Sequence, residues 1–211
     1  MAVELLPAVL ATTASQLKIR AALAQKLSST VHLDVMDGKF VTTKSVGLAA
    51  LQRQRWHRRV EVHAMIDDPI TMFKFLEVVH PRRVYLHVEL GSALLPFIAL
   101  LRSRRIEFGL AINPQTNIHV LKMYIRYAQS VLVMSVQPGR YQAPFWPGSI
   151  ARVRTLKKRW PKKFIAIDGG MNERTIPRAV RAGARRIIVG SDVMLNPDPI
   201  TEWRKLKALS K

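Results

Sequence analysis

A closed (β/α)8 barrel of the TIM type is the α/β fold class that this sequence predicts, on three observations. Extended and helical periodicities alternate from end to end in eight strand-then-helix units, with no composition break or linker between them. Strict alternation implies a parallel sheet with helical crossovers, and eight such units close it into a barrel. The residue types able to do chemistry collect at the carboxyl ends of the strand segments, where such barrels build their sites. Finally, no G-x-G-x-x-G follows the first strand, which disfavours an open doubly wound sheet. At 211 residues the chain is near the lower limit for this fold, so a single domain over 1–211 without long insertions is expected.

Each unit has its own signature. Val3–Leu10 is apolar and extended, and Ala14–Leu27 follows at helical spacing. In Thr30–Met36, Val31, Leu33 and Val35 alternate with His32, Asp34 and Met36, the period of two that defines a strand, and Gly38 punctuates its exit. Ser45–Trp56 reads as a short helix, Val60–Ile66 as a strand, and Ile70–Val79 as a helix behind Pro69, a good first-turn residue. Arg83–Val88, Glu107–Ile112 and Ser130–Val136 are strands, followed by helices over Ala93–Arg104, Asn117–Tyr127 and Ser149–Trp160. Phe164–Ile167 leads into Asp168-Gly169-Gly170 and a helix over Glu173–Ala182; Arg186–Val189 leads into Gly190-Ser191, and Pro199–Leu209 closes the chain as a helix.

Composition narrows the classes of function. No apolar run reaches the roughly 18 residues of a membrane span, and Met1–Ala14 lacks a basic leader and carries Glu4 and Pro7, so a cytoplasmic protein is expected. Without cysteine there is no disulfide, thiolate ligand or thiol nucleophile. Lys and Arg number 34 against 14 Asp and Glu, a net charge of +20. The basic stretches Gln52–Arg59, Arg152–Lys163 and Arg178–Arg186 fall on or beside helices, interleaved with apolar residues, and no nucleic-acid-binding motif accompanies them. They read as a solvated exterior rather than a nucleic-acid surface.

His32 and Asp34 at the second strand, His63 at the third and Asp168 at the seventh converge on the barrel mouth, and buried polar groups of this kind must be paired or bind a cation. Two imidazoles and two carboxylates suit one divalent metal ion, with zinc, iron and manganese all admissible. His87, near the end of the fourth strand, is placed behind these residues; His57, His80 and His119 fall in loops or outer helices. Gly169, Gly170, Gly190 and Ser191 end the last two strands, where barrels hold a phosphate on backbone N–H groups. Met36, Met65 and Met134 sit at strand ends, with Met171 just beyond one; polarizable and apolar, they would exclude water from a reactive site without donating protons.

The stretches HLDVMDGKFV (32–41), EVHAMIDDP (61–69), LHVE (86–89), GLAINPQT (109–116), VLVMSVQPG (131–139), IDGGMN (167–172) and VGSDVM (189–194) occur in the order and spacing of a known family. The chain resembles ribulose-phosphate 3-epimerase over nearly its whole length. The resemblance implies inversion at C3 of a ketopentose 5-phosphate, with His32, Asp34, His63 and Asp168 as metal ligands and Asp34 and Asp168 as the acid/base pair. It also places Gly139 in the substrate-holding set and implies a homo-oligomer. Two positions depart from the family pattern: Ala8 follows Pro7 where a substrate-contacting serine is usual, with Thr12 and Thr13 as the nearby hydroxyls, and Tyr141-Gln142 replaces a Gly-Gly pair after the sixth strand, where Arg140 is a candidate phosphate contact. These departures motivate a ketohexose 6-phosphate such as allulose 6-phosphate as the alternative substrate. The basic exterior motivates a polyanion-binding barrel without catalysis as the alternative class.

Overall fold

Eight strands hydrogen-bond in sequence order and close on themselves in a computed structural model that describes residues 3–67 and 69–210. They are β1 (Glu4–Val9), β2 (Thr30–Met36), β3 (Arg59–Met65), β4 (Arg83–His87), β5 (Glu107–Ile112), β6 (Ser130–Met134), β7 (Phe164–Asp168) and β8 (Arg186–Val189). Every pair is parallel, and β8 returns to β1 with Leu5 opposite Ile187. Asp68, within the motif at 61–69, and residues 1, 2 and 211 lie outside the described residues.

The period of two sorts the strand residues into two shells. Val9, Val31, Leu33, Val62, Leu86 and Ile167 face outward into the layer shared with the helices. Ala8, Tyr85, Ala111, Leu132, Met134, Ala166 and Ile188 fill the barrel itself. The outer layer comprises α1 (Ala14–Leu27), α2 (Leu48–Arg53), α3 (Pro69–Val79), α4 (Leu94–Ser103), α5 (Gly148–Arg159), α6 (Ile176–Ala182), α7 (Ser191–Met194) and α8 (Pro199–Ala208). Thr13 caps α1 by accepting from the Gln16 N–H, and Asp198 caps α8 by accepting from that of Thr201.

Three elements differ from the sequence expectation, one of them a 3-10 segment over Val88–Ala93 between β4 and α4. The fifth crossover is a 3-10 turn, Ile118–Met123, instead of an α-helix over Asn117–Tyr127. Asn117 caps it through the His119 N–H, a local side-chain bond that competes with α-helical pairing. An added single helical turn, α7, follows Gly190 directly. It is too short for a periodic signal. Among the described residues no helix is long and apolar enough to cross a membrane.

At the amino-terminal end of the barrel the interior is charged. Buried Glu61 accepts from Arg186 at 2.6 Å and lies 3.4 Å from Arg83, while Arg186 also donates to Glu4 at 3.0 Å. Above this floor, the ring of Tyr85 lies across Gly109 of the neighbouring strand. A Cβ at Gly109 would stand 2.3 Å from the ring and 2.8 Å from Ser130 Oγ. Gly109→Ala is therefore expected to destabilise the barrel by about 1–3 kcal/mol in urea unfolding. The same change in a Tyr85→Ala background should cost clearly less, because the clashing ring has gone.

Candidate active site

Strands β2, β3 and β7 bring His32, Asp34, His63 and Asp168 together at the carboxyl end of the barrel, all four buried. One ligand atom from each lies within 4.8 Å of every other. His63 Nδ1 is 3.1 Å from Asp34 Oδ1 and 3.7 Å from Asp168 Oδ2. His32 Nε2 is 3.7 Å from Asp34 Oδ1 and 3.9 Å from Asp168 Oδ2. Tetrahedral ligands at zinc bond lengths stand about 3.3 Å apart; the four imidazole–carboxylate spacings, 3.1 to 3.9 Å, bracket that value. A second observation fits a cation: His32 Nε2 is buried and has no hydrogen-bond partner among the described residues. The residues present could hold one divalent ion; the metal is not identified by them.

Each imidazole is oriented through its other nitrogen, as metal-binding histidines generally are. His32 Nδ1 donates to Glu61 Oε1 at 2.8 Å, which leaves Nε2 as the free lone pair. His63 Nε2 lies 2.8 Å from His87 Nε2, and His87 Nδ1 lies 3.1 Å from Glu89 Oε2. Burial lowers the His87 pKa to about 4, and nearby His63 adds to the effect. A neutral His87 that gives its Nδ1 proton to Glu89 can accept from His63 Nε2–H, freeing His63 Nδ1. Burial also opposes a charge on His32, yet its hydrogen bond to Glu61 and the Glu61, Asp34 and Asp168 carboxylates outweigh it and raise the pKa to about 9. Asp168 is raised to about 6, by burial first and then by Asp34, against the pull of His32 and His63.

The substrate-side residues surround a cleft above this group, lined by Met65, Met134, Gly139, Gly169, Gly170, Met171, Gly190 and Ser191. Met36 does not line it and packs behind Met65 against Leu10. Gly169 (φ +104°) and Gly170 (φ +59°) take up backbone conformations that side chains disfavour. A Cβ at Gly169 would also meet Val136 at 2.4 Å. Ser135 Oγ, 2.7 Å from the Asp168 carbonyl oxygen and 2.6 Å from that of Gly169, fastens the loops after β6 and β7 together. Gly190 immediately precedes α7.

Arg140 is exposed at the cleft edge. Thr12 and Thr13 do not replace the absent serine hydroxyl: Thr13 caps α1, and Thr12 bonds Gln16. A hydroxyl does reach Ala8, that of Tyr141, and its bonds go to the backbone of residues 8 and 10. Glu61 and Glu89 also went unread as site residues. The signal for Glu61 lay in the alternation of β3, which puts Glu61, His63 and Met65 on one face. Glu89 carried no such signal, since it sits past the end of β4.

A parallel eight-stranded barrel whose mouth buries a two-His, two-Asp group beneath a glycine-rich rim has the layout of a barrel enzyme whose site could hold a cation. The model of the ribulose-phosphate 3 epimerase family matches residues 2–194. The ribulose-phosphate 3-epimerase of Aquifex aeolicus is 34% identical over 186 residues, covering 85% of this chain and 83% of that protein. The enzyme of the same name from Eremothecium gossypii is 30% identical over 181 residues, covering 80% and 76%. Among solved structures, 3-hexulose-6-phosphate synthase from Salmonella typhimurium superimposes with a TM-score of 0.72 at 18% identity, covering 100% of this chain and 98% of that one, a likeness of fold. The chain belongs to the ribulose-phosphate 3-epimerase family, whose members are carbohydrate isomerases.

Two outcomes are expected from this geometry. Glu61→Gln should weaken zinc binding about 10–100-fold in calorimetry, because the carboxylate that orients His32 is lost; unchanged affinity would leave Glu61 as a counter-charge for Arg186 alone. The pH dependence of the metal-free protein has a definite sign. His32 is raised from 6.5 to about 9, so its contribution to stability is complete below pH 6.5 and lost as the pH rises through 9. Thermal unfolding of metal-free protein should therefore give a lower Tm at pH 9 than at pH 6.5. Added zinc competes with that proton and should stabilise more at the higher pH.

Proposed function

We propose that this chain interconverts D-ribulose 5-phosphate and D-xylulose 5-phosphate by moving one proton off C3 and another onto its opposite face. The observation that carries the reading is the carboxylate pair. Asp34 and Asp168 come from strands separated by β1 and β8 on the short way round, yet both lie against the same two imidazoles. Inversion needs one carboxylate to take the C3 proton and a second to deliver one to the other face of the planar enediolate. In the metal-free site burial and the neighbouring Asp34 carboxylate raise Asp168 to about 6, which favours a protonated carboxyl at this position.

His32, Asp34, His63 and Asp168 are the residues that would hold the divalent cation, whether zinc, iron or manganese. When bound, it polarises the ketone and offsets the negative charge of the enediolate. Met65, Met134 and Met171 exclude water around the reacting carbons and offer no proton of their own. The phosphate is assigned to the backbone at Gly169, Gly170, Gly190 and Ser191, with Gly139 on the facing loop.

The direct test is proton NMR of D-ribulose 5-phosphate in deuterated water with the metal-loaded protein. Loss of the C3 proton signal with growth of D-xylulose 5-phosphate is expected; exchange without a new sugar would mean that only one face works. Asp168→Asn should keep the circular dichroism spectrum and lower kcat about a thousandfold. Substantial epimerisation by that variant would remove Asp168 from the proton path.

A further inference from the structure

Tyr141, in the loop after β6, reaches across the mouth of the barrel to β1, 133 residues away in sequence. Its hydroxyl donates to the Ala8 carbonyl at 2.9 Å and accepts from the Leu10 N–H at 3.1 Å. The Arg20 guanidinium of α1 lies over the ring, 4.9 Å from its centre. The ring packs on Leu10, Met36 and Met65, and its edge comes within 3.1 Å of where a Cβ on Gly190 would stand. Thus one bulky side chain lines the cleft alongside Asp34 and Asp168 and also abuts the glycine that opens α7. Two backbone hydrogen bonds and a stacked cation hold it there, which makes it a fixed wall rather than a mobile side chain.

We propose that Tyr141 determines the length of sugar phosphate this enzyme accepts, by fixing the space between the carboxylate pair and the rim at Gly190 so that a ketopentose 5-phosphate fits and a ketohexose 6-phosphate does not. The inference rests on the epimerase reading above. A substrate must present C3 to Asp34 and Asp168 while its phosphate reaches the loops after β7 and β8. One more carbon between those two ends has to be accommodated against the ring of Tyr141. The methyl group of Ala8 stands 3.9 Å from the same Gly190 Cβ position, so this corner of the cleft is shared by a small side chain and the ring.

The test is kcat/KM for D-ribulose 5-phosphate and D-allulose 6-phosphate, followed by C3 proton exchange, for the wild type and for Tyr141→Ala, Tyr141→Leu and Tyr141→Phe. Zinc calorimetry on each variant checks that the site beneath is intact. The wild type should prefer the pentulose. Alanine and leucine should raise the hexulose-to-pentulose ratio at least tenfold, mainly through KM for the hexulose, while phenylalanine, which keeps the ring but loses the two bonds that pin it, should raise it clearly less. Leucine carries the test if the alanine variant fails to fold. A ratio unmoved by alanine or leucine, or moved as far by phenylalanine, overturns the inference and leaves the epimerase reading standing. Wild-type protein inactive on both sugars overturns that reading and this one with it.

Discussion

Burying two imidazoles and two carboxylates at one end of a barrel is the constraint to which the rest of the molecule answers. Unpaired, each charge would carry a desolvation cost that folding could not absorb. The chain meets this with opposed charges stacked in depth. Glu61 lies beneath His32, and Arg186 and Arg83 lie beneath Glu61, themselves tied to Glu4 and Glu107 at the solvent edge. Glu61 therefore has two functions: it sets the tautomer of His32 above, and it neutralises the guanidinium of Arg186 below. On the other side, His87 and Glu89 complete the same arrangement for His63 with a neutral imidazole in the middle.

The barrel geometry converts this electrostatic stack into a site. Parallel register places Asp34 level with His63 and Met134 level with Asp168, so groups from different strands arrive at one height without any loop positioning them. What loops contribute is the rim. There glycine is used where the backbone must pass close to a neighbour, as at Gly169 under Val136. Ser135 then fixes two rim loops to each other, so the carbonyl that follows the Asp168 side chain is held from outside its own strand.

How much of this could be read from the chain follows from the range of each interaction. The strands of β2 and β8, and the helix α1, fall where their periodicity puts them, because burial on a regular face is a local pattern. His32, Asp34, His63 and Asp168 were legible for the same reason: each faces inward from a strand, and the barrel does the rest. The 3-10 turn at Ile118–Met123 was not, since its apolar spacing mimics a helix and the deciding bond is a single cap at Asn117. Glu89 was hidden because its role depends on a histidine two residues away turning its Nδ1 toward it.

Tyr141 marks the limit of that reading. In the sequence, Ala8 and Tyr141 are two unrelated departures from the family pattern, one losing a hydroxyl and the other losing backbone freedom. In space the two positions meet: Tyr141 arrives from the loop after β6, and its hydroxyl bonds to the backbone of residue 8 itself. A bond closing 133 residues of chain leaves no trace in local periodicity. It also alters the physical nature of the wall. A small side chain on a strand would leave the loop free to move independently, whereas a phenol held by Ala8 and Leu10 and covered by Arg20 makes the loop, β1 and α1 a single rigid unit beside the carboxylates. On the proposed epimerase reading, proton transfer between two faces of a planar intermediate requires close positioning, and a pinned flank on the side of β1 would serve it.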